Sequence, residues 1–154
     1  MSPKREENLA QLGIRIPEVP KPVAAYVPAV QSGSLLFTSG QLPFVDGKIT
    51  CQGKVGAEVS VEEAQRAARA CALNCLGAAR SLLGSLDRIV RVVKVVGFVQ
   101  SAPGFSGQPQ VVNGASELFL ELLGDDGRHA RSAVGVTELP HNAAVEVEAV
   151  FEVG

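Results

Sequence analysis

Small residues recur at helical spacing through the middle of the chain. Ala64, Ala67, Ala68, Cys71, Cys75, Ala78, Ala79 and Leu82 form one stripe, and Glu62, Arg66, Arg69 and Arg80 lie largely off it. Apolar positions three and four apart mark one face of a 3.6-residue helix. Ser60 opens this helix with Glu63 three residues on, the spacing of a capping box, and Gly84 supplies a stop. Side chains this small let a helix sit close on a sheet. Residues 111–123 give a second amphipathic helix, closed by Gly124. Between the two, IVRVVKVVGFVQ (89–100) is a β-branched run suited to an interior strand.

Upstream, residues 25–30 and 34–43 predict two strands separated by Gln31-Ser32-Gly33. The second contains Ser39-Gly40-Gln41, where the glycine marks either a bulge or a close approach to a ligand. Asp46-Gly47 is a two-residue turn signal leading to a short strand at 48–51. SAPGFSGQPQ (101–110) is too rich in Gly and Pro for an element, and 125–129 is a polar turn. Residues 1–22, polar and then proline-punctuated, predict a surface arm with a short helix at 6–12, ahead of a single domain at 23–154. The order is strands, helix, strand, helix, two strands. Two strand–helix–strand units place both helices on one sheet face. The other face carries apolar residues with no lid in the chain, so several copies are expected to associate through it.

The last stretch, ARSAVGVTELPHNAAVEVE, holds two extended runs joined by Pro-His-Asn. Side chains alternate in a strand, so Arg131, Ala133 and Gly135 share a face. An arginine beside a methyl and a hydrogen has space next to it, sized for a carboxylate held by two parallel hydrogen bonds. Glu146 and Glu148 share a face opposite Val145, Val147, Ala149 and Phe151. On alternation alone, a half-exposed strand with solvated carboxylates is the simpler account.

Composition narrows the picture. A chain of 154 residues with formal charge −2 is long enough for one core and has no basic block for nucleic acid or anionic membrane. No apolar run reaches membrane-spanning length and the start lacks a signal-peptide core, so the expected compartment is the cytoplasm. Cys71 and Cys75 fall inside the helical stripe as small core residues; with Cys51 they make an odd set, and His129 and His141 stand isolated in turns. No metal is expected.

Five segments then carry a resemblance: AAYVPAV (24–30), LLFTSGQLP (35–43), VVNGASELF (111–119), HARSAVGVTELP (129–140) and AAVEVEAV (143–150). In this order they resemble successive motifs of the RidA/YjgF family of enamine/imine deaminases and relatives. The resemblance implies an α+β, chorismate-mutase-like fold. Its parts would be a mixed six-stranded sheet, two helices packed on one face, and a trimeric barrel core. It implies a homotrimer with sites between subunits, and a last strand inside the sheet. It further implies that Arg131 grips a substrate carboxylate and Glu146 holds the attacking water. Tyr26, Ser39, Gly40, Asn113 and Ala133 would line the pocket. No cofactor is needed, because an imine carbon is already electrophilic: a clamp and a base suffice. The implied reaction converts 2-aminoacrylate-like imines to 2-keto acids and ammonia. Ala133 stands where many relatives carry cysteine, so only its backbone could contribute there. Ala25 replaces the proline usual before the tyrosine. The arm and the 101–110 loop are longer than in compact relatives, which leaves the substrate open. A non-catalytic trimer binding carboxylate metabolites or a partner protein is the alternative. An endoribonuclease fits less well, given balanced charge and a lone tyrosine.

Overall fold

The computed structural model describes residues 3–19 and 25–154. Of the predicted arm at 1–22, residues 1, 2 and 20–22 lie outside the described residues. The elements run α1 (Arg5–Leu12), β1 (Ala29–Ser32), β2 (Leu35–Thr38), β3 (Phe44–Val45), β4 (Lys48–Ile49), α2 (Val61–Leu83), β5 (Ile89–Gln100), α3 (Gln108–Leu123), β6 (Ala130–Val136) and β7 (Val145–Val153). Five strands form one mixed sheet in the order β1-β2-β7-β5-β6. β7 runs antiparallel to both β2 and β5, and β5 is parallel to β6. The last strand is therefore interior, and β6 and β7 are not a hairpin. The expected sixth strand, near 48–51, does not join this sheet. Asp46 and Gly47 both take positive φ, and the tight turn pairs Phe44–Val45 with Lys48–Ile49 as a separate ribbon.

The α2 capping box forms in full: Ser60 accepts from the Glu63 amide and Glu63 accepts from the Ser60 amide. Leu82, assigned to the buried stripe, is exposed, and Leu83 is buried instead. Burial on α2 is also wider than one stripe, because the chain after α1 crosses its back. A Cβ on Gly77 would lie 2.5 Å from the Pro17 carbonyl oxygen, so only a hydrogen fits there. Buried Asn74 donates to the Leu42 and Phe44 carbonyls and ties the ribbon to the helix. Cys71 and Cys75 are fully buried, and burial above all pushes the Cys75 thiol up to about 12.

α3 begins at Gln108, inside the stretch expected to be loop. Pro109 sits in its first turn, where a missing N–H costs nothing. α2 and α3 meet through Gly114, whose Cβ would stand 2.1 Å from the Gln65 carbonyl oxygen. Gly114→Ala should therefore force the two backbones apart. The expected loss is about 2 kcal/mol, net of the gain in helix propensity, or a fall in Tm of roughly 5 °C. A thermal melt showing higher Tm would contradict this packing.

The first helix is not loosely laid on. The buried Arg5 guanidinium donates to the Ile89 and Val90 carbonyls and pairs with Asp126 at 2.8 Å. Glu6 accepts from the Leu86 amide and from Arg80. Behind the sheet, Val145, Val147, Ala149, Phe151 and Val153 point into the helical layer, and Phe151 meets Phe119 edge-on at 5.8 Å. Among the described residues nothing covers the opposite face: Phe37 is 44% and Val134 43% exposed, large values for apolar strand residues.

Candidate functional site

Register decides where each predicted residue points. Arg131 pairs with Val95, which pairs with Ala149, and both neighbours are buried beneath the helices. Arg131 therefore faces the α3 side, at the sheet edge. Glu146 pairs with Phe98, which pairs with Val134, in a row on the bare face. Within one chain the two lie on opposite sheet faces and do not meet.

Around Arg131 a neutral cradle is built by α3. Nη1 donates to Asn113 Oδ1 at 2.7 Å and to Ser116 Oγ at 3.2 Å, and Nη2 donates to the Pro109 carbonyl at 3.3 Å. Asn113 and Ser116 are three apart, so one helix face presents both. No ion pair among the described residues includes Arg131. A guanidinium has five N–H donors, so Nε–H and one N–H on Nη2 have no partner among the described residues. A carboxylate approaching side-on pairs with Nε–H and an Nη2 N–H, the two nitrogens that retain a hydrogen here. Ala133, on the same face, packs its methyl against the core, and Gly135 abuts Gln108 and Ser101. The backbone of Ala133 is the polar part it can offer, along the open edge of β6.

A second group gathers at Glu146. A Cβ on Gly40 would lie 2.6 Å from Glu146 Oε2, so the glycine is what lets the carboxylate rest against the backbone. That makes Gly40 a close-approach position. Ser39 donates from its amide to the Pro28 carbonyl and from Oγ to the Val27 carbonyl, which holds the segment bearing exposed Tyr26 beside it. Burial first, then the Glu148 charge, holds the Glu146 carboxyl above the ordinary carboxylate range. The buried Gln100 side chain accepts from the Leu139 amide and donates to Gly53 and Asn142, fixing the turn that feeds β7.

Sequence reasoning missed Ser116 and His129. His129 is not isolated: Nε2 lies 2.9 Å from Ser116 Oγ and Nδ1 lies 2.6 Å from the Gly127 carbonyl oxygen. The polar pair Asn113/Ser116 on an otherwise apolar helix face was the available signal.

A family model described as "YjgF/chorismate mutase-like, putative endoribonuclease" matches residues 6–153. The chain belongs to the RidA/YjgF family. It is 50% identical to Protein TCP17 of Trypanosoma cruzi, over 94% of this chain and 91% of that one. It is 32% identical to a 2-iminobutanoate/2-iminopropanoate deaminase of Dermatophagoides farinae, over 97% of each. The crystal structure of Atu1372, a protein with unknown function from Agrobacterium tumefaciens, superposes with a TM-score of 0.87. Identity to it is 48%, with 97% of this chain and 93% of that chain covered. The RidA/YjgF match begins at residue 6, so it takes in most of α1. No described helix is long and apolar enough to cross a membrane.

Proposed function

We propose that this family member hydrolyses small reactive 2-imino acids, formed from 2-enamines such as 2-aminoacrylate, to 2-keto acids and ammonia. One observation carries the reading: Arg131 is oriented by three neutral acceptors, and among the described residues it has no ion-pair partner and none for Nε–H or for one N–H on Nη2. A charge held without being neutralised is poised for a carboxylate that arrives from outside. Glu146 is the base. Its raised pKa suits proton transfer, because a carboxylate that binds its proton more tightly pulls harder on water. Water adds to the imine carbon as Glu146 passes its first proton to nitrogen, giving a carbinolamine. The hydroxyl proton then follows through the same carboxylate to nitrogen as the carbonyl forms and the C–N bond breaks to release ammonia. The relative named as a 2-iminobutanoate/2-iminopropanoate deaminase supports this substrate class.

Because Arg131 and Glu146 occupy opposite faces of one sheet, the reading requires a second copy to complete each site. The bare face, with Val30, Phe37 and Val134 exposed, is the surface through which a homotrimer would form. Equilibrium sedimentation at micromolar concentration is expected to give three times the chain mass, and a monomer would sink the shared-site arrangement. For the chemistry, a serine dehydratase supplies 2-aminoacrylate while imine loss is followed with and without this protein. Acceleration is expected. No acceleration, with 2-keto acids nonetheless bound at Arg131, would leave a carboxylate binder.

A further inference from the structure

The restraint on Arg131 extends one residue beyond its direct partners. Ser116 Oγ accepts from Arg131 at 3.2 Å and also lies 2.9 Å from His129 Nε2. The other ring nitrogen, Nδ1, is 2.6 Å from the Gly127 carbonyl oxygen. A carbonyl oxygen only accepts, so Nδ1 carries a proton. In the neutral ring Nε2 is then a bare lone pair, and the Ser116 hydroxyl must donate to it. With its hydrogen turned to the ring, the hydroxyl leaves its lone pairs for Arg131.

The surroundings favour that neutral form. The ring is half-buried and packs edge-on to Phe119, with centroids 6.0 Å apart. Burial chiefly holds its pKa below the ordinary histidine range. The Arg131 charge adds to this, and the Gly127 bond opposes it. Arg91 from β5, Arg128 next in the chain and Glu152 from β7 line the same recess, and Asp125 accepts from Arg128.

We propose that His129 is a positioning residue for Arg131, acting through Ser116. The lone pair on Nε2 fixes which way the Ser116 hydroxyl points, and so where the two unused N–H groups of the guanidinium aim. Its catalytic consequence rests on the deaminase reading; the restraint on the guanidinium does not.

Two amide substitutions separate this role from a purely structural one. His129→Gln sets a side-chain oxygen near the place of Nε2 and can still accept from Ser116. His129→Asn reaches only as far as Nδ1 and can serve the Gly127 carbonyl alone. The readouts are the Arg131 Nε–H signal in the 15N-labelled full chain and pyruvate affinity by calorimetry. Ser116→Ala and His129→Asn are expected to broaden the signal and weaken pyruvate about tenfold, the scale of one hydrogen bond to a charged group. His129→Gln is expected to stay within about twofold of the wild type. The reverse order of the two amides, or an unchanged Arg131 signal in Ser116→Ala, would overturn the proposal. So would ring 15N shifts that place the neutral ring's proton on Nε2. If His129→Asn fails to fold, the ring 15N shifts of the wild type decide: a neutral ring with its proton on Nδ1 and a bare Nε2 supports the proposal, and a proton on Nε2 overturns it. If wild type binds no pyruvate but the Arg131 signal follows the expected order, the deaminase reading falls and the positioning role stands.

Discussion

Arg131→Ala is expected to lower kcat/KM for 2-aminoacrylate by at least about a hundredfold, and Arg131→Lys is expected to recover little of that loss. Two parallel hydrogen bonds between guanidinium and carboxylate are each worth on the order of 1.5–3 kcal/mol, which spans that factor. Lysine keeps the charge but presents a point donor, and cannot donate at once to Asn113, Ser116, the Pro109 carbonyl and a substrate in their present geometry. Steady-state kinetics with the dehydratase-coupled supply would measure it, with circular dichroism to show that the fold is intact. Near-normal turnover in Arg131→Lys would mean that charge alone suffices and that the planar fork is irrelevant.

Glu146→Gln gives the second large effect. The amide keeps the size of the carboxylate and its contact with Gly40, so the fold should hold. Loss of the base should cost about a hundredfold in kcat, with KM little changed. The pH profile adds a sharper check. Because the native carboxyl is held above the ordinary range, the wild-type rate should fall on the acid side at a correspondingly higher pH. Glu148→Gln removes the second cause of that shift and should move the fall to lower pH. Stability follows the same linkage with a definite sign. A carboxyl whose native pKa is raised binds its proton more tightly when folded, so its ionisation weakens the fold as pH rises through the window between the two pKa values. Glu146→Gln should therefore raise Tm slightly at neutral pH while lowering kcat by that hundredfold. An acid limb that survives in Glu146→Gln would show that another group holds the water.

What the amino-acid pattern disclosed, and what it hid, divides by the range of the interaction. The Ser60–Glu63 box, the Asp46-Gly47 turn, the stop at Gly84 and the whole of β5 depend on neighbours a few residues away, and each appears where expected. The start of α3 was concealed by Gly107 and Pro109, which look like loop but serve equally well at a helix N-terminus. Leu82 and Leu83 changed places because α2 is covered from several directions, not along one stripe. For the site, the alternation along β7 correctly separated Glu146 and Glu148 from the apolar positions. It could not say that Arg131 and Glu146 face opposite ways, because that parity depends on how β6 and β7 each register against β5. Nor could it find the His129–Ser116 contact, which needs α3 docked across the edge of the sheet.

The strand order also bears on how the molecule comes into being. During synthesis β2 and β5 emerge early, yet each makes its ladder with β7, the last of the described strands to be made. Until then a nascent chain holds two half-satisfied edges around an empty slot, a surface prone to mispairing. Maturation should thus be late and abrupt, and a stop codon just before Val145 should yield an aggregate with no smaller working domain.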